Sequence, residues 1–261
     1  MSSFDFILNG FKYSHSSVTT YETCNYAFYL TYIQAEERKK NFYSQYGIFS
    51  HRILEKFFKN ELAVYDLAPY YRENYDKYIT LEPPSYKKNN ASQEYYDKGL
   101  YYFENFSFDK SLYEIILIEE NIEFSLQNVK CVVKPDLVLF EKETSKYILV
   151  DFKTANAYKR DKLDKVKMKG YMKQFNLYAY GVWIAKELPI DEIDVWFITC
   201  GKTEKVKMNA MYVQEVMDWF YNLTDKIRLE EEWKPFTGNQ WYCNFLCSVK
   251  NSCPFWKADD F

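Results

Sequence analysis

Glycine and proline are scarce in this chain of 261 residues, with seven of each, and histidine occurs only twice, at His15 and His51. No internal repeat or low-complexity linker interrupts the sequence, so one domain over 1–261 is the simpler expectation. Two histidines leave no serine or cysteine with an evident histidine partner for nucleophilic catalysis. No run of about eighteen uncharged apolar residues is present, which argues against a membrane-spanning helix. The opening MSSFDFILNGF lacks the basic and then apolar zones of a secretory leader, and the expected location is the cytoplasm. In a reducing compartment the six cysteines do not read as a disulfide framework, which leaves buried thiols or metal ligands. A formal net charge of −3 excludes a uniformly basic surface but permits a local basic groove. Gly201-Lys202-Thr203 echoes the end of a phosphate-binding loop, yet no glycine precedes it at the required spacing.

What is abundant is apolar and aromatic. Hydrophobic residues make up 48% of the chain, with 26 tyrosines and 21 phenylalanines, enough for a substantial core. From Ser17 to Ile33, hydroxyl residues suited to an N-cap precede rings at helical spacing, which predicts a helix. A second helix is expected from Tyr46 to Leu62, and further helix to about Leu112, broken at Pro83 and Pro84. After Leu112, three apolar or alternating runs separated by QN and EKETSK predict an antiparallel sheet. Met168, Met172, Phe175, Ala179 and Val182 recur every three or four residues, predicting a helix from about Lys165 to Lys186. IDVWFITCG reads as a further strand, and Val213 to Glu231 as a late helix.

Two of the strands carry carboxylates near their ends. VVKPDLVLF supplies Asp136, and YILVDFKTA supplies Asp151 and, two residues later, Lys153. Residues i and i+2 of a strand share a face, so Asp151 and Lys153 can act on one phosphate. Phosphodiester hydrolysis uses hard oxygen ligands for Mg²⁺ or Mn²⁺ and a nearby cation to orient water or steady developing charge. An acid and a lysine at this spacing are commonly an ordinary surface pair. Here the apolar run YILV leads into them, which sets the charges at the mouth of a buried strand.

Pro135-Asp136 and Asp151-Phe152-Lys153 together resemble the signature of the PD-(D/E)XK nucleases. Gly47, His51 and Glu55, four residues apart in GIFSHRILE, and Gln174 and Tyr178 in QFNLYAYG resemble two further motifs of the RecB-like group, with all four in that group's order from Ser17 to Phe255. The resemblance implies an α/β fold: a restriction-endonuclease-like core with a central mixed sheet flanked by helices. A mainly helical region (1–112) would precede the catalytic sheet and helix (113–200), and a late helix and cysteine segment (201–261) would follow. It implies that His51, Asp136, Asp151 and the backbone carbonyl of Phe152 hold Mg²⁺ or Mn²⁺, while Lys153 positions the attacking water or steadies the transition state. Glu119 or Glu120, before Asp136, would add a ligand, and Glu120 is the one carried into the set. Glu55 reads as a helix-orienting residue. Gln174 and Tyr178 would bind or orient DNA, and the basic stretch of Lys159, Arg160, Lys162, Lys165, Lys167, Lys169 and Lys173 would hold its phosphates without reading sequence.

The cysteines extend the resemblance. Cys24 lies in the first predicted helix and Cys243, Cys247 and Cys253 near the other end. CRISPR-associated and phage-type RecB-like nucleases with an iron–sulfur cluster place one cysteine before the core and three after it. Their C-terminal spacing is two and then five intervening residues, whereas here it is three and then five, with Asn244 where the first would stand. A [4Fe–4S] cluster on Cys24, Cys243, Cys247 and Cys253 is the implied reading, with zinc or reduced thiols as alternatives. Cys131 and Cys200, in strand-like segments, are assigned to the core.

The resulting expectation is a Mg²⁺- or Mn²⁺-dependent deoxyribonuclease, an exonuclease by resemblance, acting on DNA with single-stranded ends in replication, recombination or repair. Its partner would be a helicase or recombination protein, its location the cytoplasm, or the host cytoplasm for a phage protein. The alternatives are a non-catalytic DNA-binding or scaffold subunit, and a restriction-type endonuclease, which would need base-reading elements.

Overall fold

A computed structural model of the chain describes residues 4–84, 90–155, 157–159, 161–235 and 240–256. The elements run α1 (Asp5–Leu8), α2 (His15–Thr23), α3 (Asn25–Phe28), α4 (Phe42–Phe58), α5 (Leu67–Tyr78), α6 (Ala91–Glu104), β1 (Tyr113–Ile118), β2 (Ile122–Leu126), β3 (Val129–Val133), β4 (Leu137–Glu141), β5 (Lys146–Lys153), β6 (Tyr158–Lys159), β7 (Lys162–Leu163), α7 (Lys165–Lys186), β8 (Ile190–Phe197), β9 (Lys202–Lys207), α8 (Ala210–Leu229) and α9 (Gln240–Phe245). They form two compact units. One comprises Met1–Asn41, Glu123–Val133 and Gln214–Phe261; the other comprises Phe42–Ile122 and Lys134–Val213.

The larger unit holds a five-stranded sheet in the order β1-β4-β5-β8-β9. β1, β4 and β5 pair antiparallel, β5 and β8 parallel, and β8 and β9 antiparallel, so the sheet is mixed. A parallel pair needs a long return connection, and α7 supplies it. Its predicted bounds are met: Asp164 caps the first turn, accepting from the amides of Val166 and Lys167, and Glu187 ends it in left-handed conformation (φ 58°). On α4, Phe42, Tyr46, Phe49, Ile53 and Phe57 recur at helical spacing and are all buried. They join Leu67, Tyr71 and Tyr75 of α5, Phe103 of α6, and Leu137, Leu139, Ile148, Val150 and Phe152 of the sheet in one core. Each such ring or aliphatic chain contributes roughly 1.5–3 kcal/mol on burial.

Several expectations are corrected. The first predicted helix is interrupted at Cys24, whose extended backbone (φ −160°, ψ 108°) ends α2, and the chain from Tyr29 to Ile33 is a π-helical turn. The aromatic spacing continues through that break and so conceals it. The second helix begins at Phe42 rather than Tyr46, and α5 ends at Tyr78, ahead of Pro83. The runs after Leu112 do not form one sheet, because β2 and β3 make a hairpin of their own. VVKPDLVLF spans two strands: β3 ends at Val133, and Asp136 immediately precedes β4.

In the smaller unit, Tyr13 bridges to Cys131 in the β2–β3 hairpin, donating through its amide to Lys130 and accepting from Val132. Trp233 stacks on Phe28 at 5.7 Å and 9° and on Tyr29 at 5.7 Å and 25°. The amide of Lys39 donates to the carbonyl of Ser248 at 2.8 Å, joining segments from the two ends of the chain.

Candidate active site

Three elements of the larger unit converge on one group of donors. His51 projects from the middle of α4, Glu119 follows the last residue of β1, and Asp136 precedes the first of β4. Their ligand atoms all lie within 4.8 Å of one another. The imidazole Nδ1 is 3.3 Å from Asp136 Oδ1 and 3.8 Å from Glu119 Oε1. The β1–β4 pairing continues past the strand ends through the amide of Glu119, which donates to the carbonyl of Asp136 at 3.0 Å. Glu119 leaves β1 in left-handed conformation (φ 50°), which turns its side chain toward the histidine.

β5 supplies the second half. Leu137 pairs with Val150, so Asp151 comes opposite the end of β4. The Phe152 amide donates to Asp136 Oδ2 at 2.7 Å and fixes that carboxylate. Asp151 is buried, with Lys153 Nζ 2.7 Å from its Oδ2 but out of line for a hydrogen bond. Lys153 donates to Gln174 Oε1 at 2.9 Å, and Gln174 Nε2 donates to the Tyr178 hydroxyl at 2.8 Å. The helical turn that pairs Gln174 with Tyr178 thus aims the lysine from α7.

Burial and neighbouring charge oppose each other here. Burial pushes Asp151 up to about 6, and the charge of Asp136 adds to this while Lys153 opposes it. Burial alone would also raise Asp136, but the charge and hydrogen bond of His51, with Lys153 and the Phe152 amide, hold it below the usual carboxylate range. For His51, burial favours the neutral ring and is outweighed by Asp136 and Glu119, which raise it to about 10. Lys153 is likewise raised, because Asp151 and Asp136 outweigh its desolvation. Carboxylates held ionised around a common point make a site for a cation.

A cavity of about 620 Å³ opens over this group, lined in part by Gly47, His51, Glu55, Glu119, Asp136 and Tyr178. Glu55 also pairs with Lys59 at 2.6 Å. Glu120 lies outside the group and pairs with Lys186 at 2.5 Å, so the structure turns Glu119, not Glu120, toward His51. Sequence alone left this open, because strand alternation ends with Ile118 and the next residue has positive φ. Arg52, Lys56 and Lys134, which sequence reading passed over, also line the cavity. Of the basic stretch, Lys162, Lys165, Lys167 and Lys169 are exposed, Lys173 is half-buried, Lys159 belongs to β6, and Arg160 lies outside the described residues.

In the smaller unit, Cys24, Cys243, Cys247 and Cys253 line one cavity of about 350 Å³ with apolar neighbours including Ala27, Leu30 and Tyr242. Burial raises the Cys247 thiol to about 11, and the other three cysteines add to the effect. Cys131 is buried and Cys200 half-buried, both away from this cavity.

A mixed sheet with carboxylates at the ends of β4 and β5, and a lysine two residues beyond the second, defines a nuclease fold. The sequence matches the model of the PD-(D/E)XK nuclease superfamily over residues 12–254, and the chain belongs to that superfamily. No curated protein matches the sequence. Among solved structures, a Eubacterium rectale protein provisionally named an exonuclease aligns with a TM-score of 0.53 at 13% identity, covering 94% of this chain and 89% of its own. That likeness is one of fold. Membership in a nuclease superfamily implies contact with DNA, and among the described residues no helix is long and apolar enough to cross a membrane.

Proposed function

We propose that the protein is a Mg²⁺- or Mn²⁺-dependent deoxyribonuclease of the RecB-like group, acting as an exonuclease on DNA ends, with residues 1–261 working as one nuclease domain. The observation that carries this reading is the convergence of His51, Glu119 and Asp136 within 4.8 Å, beside the buried Asp151 and Lys153. The donor set fits a hard divalent cation: three carboxylates and one imidazole, including a buried Asp151 oxygen that accepts no hydrogen bond. His51, Glu119, Asp136, Asp151 and the carbonyl of Phe152 would hold the ion, which would supply Lewis acidity at the phosphate. Lys153, tethered by Gln174, steadies charge on the phosphorane oxygens, and the Phe152 amide keeps Asp136 turned inward. The exposed lysines of α7 add a sequence-independent grip on DNA. A non-catalytic scaffold would have no need of this complete set. By the same resemblance the protein works in replication, recombination or repair, in the cytoplasm, with a helicase or recombination partner.

The four cysteines fit a [4Fe–4S] cluster. All four line one cavity of about 350 Å³, and soft thiolates suit iron–sulfur ligation. Brown, visibly absorbing protein that bleaches on Cys247→Ser is the expected result, and colourless zinc-containing protein overturns it.

The deciding assay uses end-labelled single- and double-stranded DNA in Mg²⁺, Mn²⁺ or EDTA. Progressive shortening that requires metal and is lost in Asp151→Ala and Lys153→Ala is expected, with metal affinity reduced in Glu119→Gln and unaltered in Glu120→Gln. Cleavage in EDTA, or unaltered cleavage by the variants, overturns the mechanism, and defined internal fragments overturn the preference for ends.

A further inference from the structure

We propose that the face of α4 bearing Ile48 and Arg52 is a subsite for the nucleotide next to the scissile one, with Arg52 gripping its phosphate and Ile48 packing against its base or sugar. The inference rests on the nuclease reading and deepens it. Three cations line the cavity over the His51 group, and two of them are engaged: Lys134 pairs with Glu119 and Lys56 with Glu61, each at 2.5 Å. Arg52 lines the same cavity, and among the described residues its guanidinium makes no ion pair. It lies over the Tyr78 ring at 5.1 Å, and that ring stacks on Phe49 at 4.8 Å and 15°.

Phe49 is wholly buried, so the series Phe49, Tyr78 and Arg52 is anchored in the core at one end and exposed at the other. A guanidinium held over a ring by cation–π attraction keeps hydrogen-bond donors for a further partner. Arginine takes a phosphate by two parallel hydrogen bonds, and the contact with Tyr78 restrains the side chain in advance. Ile48, on the same helix and the same cavity wall, is 51% exposed among charged neighbours that include Glu55 and Lys56. It offers an apolar surface beside a phosphate-binding cation, the pairing a nucleotide presents. His51 and Arg52 are consecutive, and successive helical residues diverge by about 100°, so the two address separate points along one wall.

The test measures binding of a labelled single-stranded oligothymidylate in Ca²⁺ across a salt series, together with kcat and KM for Mg²⁺-dependent degradation. Arg52→Ala and Arg52→Gln are expected to weaken binding about tenfold, raise KM by a similar factor with little change in kcat, and make the log–log salt slope shallower by about 0.7, as loss of one phosphate contact on a single strand requires. Ile48→Ser is expected to weaken binding while leaving the slope unchanged. Wild-type affinity and slope in both Arg52 variants of an active enzyme overturn the subsite and leave the nuclease reading intact. Wild-type protein that neither binds nor degrades DNA overturns both.

Discussion

Replacing Gln174 by leucine removes the acceptor for Lys153 while keeping the bulk of the side chain. The lost contact is a 2.9 Å hydrogen bond from a charged donor in a largely enclosed setting. Bonds of that kind are worth about 1.5–3 kcal/mol, which corresponds to roughly 10- to 150-fold in rate if the whole contribution is expressed in the transition state. Lys153 keeps its ion pair with Asp151 but gains freedom to turn away from the phosphate, so kcat should fall by about that factor while KM stays within about twofold. The decisive assay is a double-mutant cycle with Lys153→Met. Since Gln174 is a positioning residue acting through the lysine, adding Gln174→Leu to Lys153→Met should cost almost nothing further. Full additivity of the two losses, or a Gln174→Leu effect confined to KM, would refute the reasoning and make Gln174 a DNA contact instead.

Two further outcomes concern stability. Asp194 on β8 is buried beside Lys205 and Glu192; its burial outweighs the lysine and raises it from 3.8 to about 6. A raised folded value means that stability present at low pH is lost as pH rises toward 6, so ionised Asp194 costs about 3 kcal/mol at pH 8 and about half that at pH 5. Asp194→Asn should therefore be more stable than wild type by urea denaturation, with a margin that grows between those two pH values; a flat or negative margin refutes the account. Gly99 of α6 faces Tyr71 and Tyr46 so closely that an added Cβ would lie 2.3 Å and 2.7 Å from their hydroxyls. Gly99→Ala should destabilise by about 1–3 kcal/mol despite the better helix propensity of alanine, whereas Gly170→Ala, with nothing within 4 Å, should stabilise by up to about 1 kcal/mol. Thermal melts that rank the two variants the other way exclude this packing.

The parts of the fold legible in sequence were those fixed by local periodicity. α7 and the strand YILVDFK could be bounded because apolar spacing, an Asp cap and a polar turn agree over a few residues. Asp151 and Lys153 were legible because two residues of one strand need no tertiary information to share a face. Glu119 was not, because its direction depends on a single left-handed residue at a strand end. β9 was missed since KTEKVK, an edge strand carrying three lysines, alternates in burial without alternating in polarity. Arg52 sat one position beyond a motif histidine, and its significance comes from Tyr78, brought over it from the end of α5. Likewise the sequence order gave no sign that β2 and β3 would leave the sheet formed by the strands on either side of them.

The smaller unit draws its residues from the beginning, the middle and the end of the chain. During synthesis the larger unit, complete by Val213, can collapse as soon as that point leaves the ribosome, whereas the smaller one must wait for Gln214–Phe261. Cys24 is therefore made well before Cys243, Cys247 and Cys253, with which it lines one cavity. Contacts between segments so far apart in sequence close more slowly than local ones, so the packing of the smaller unit follows that of the larger.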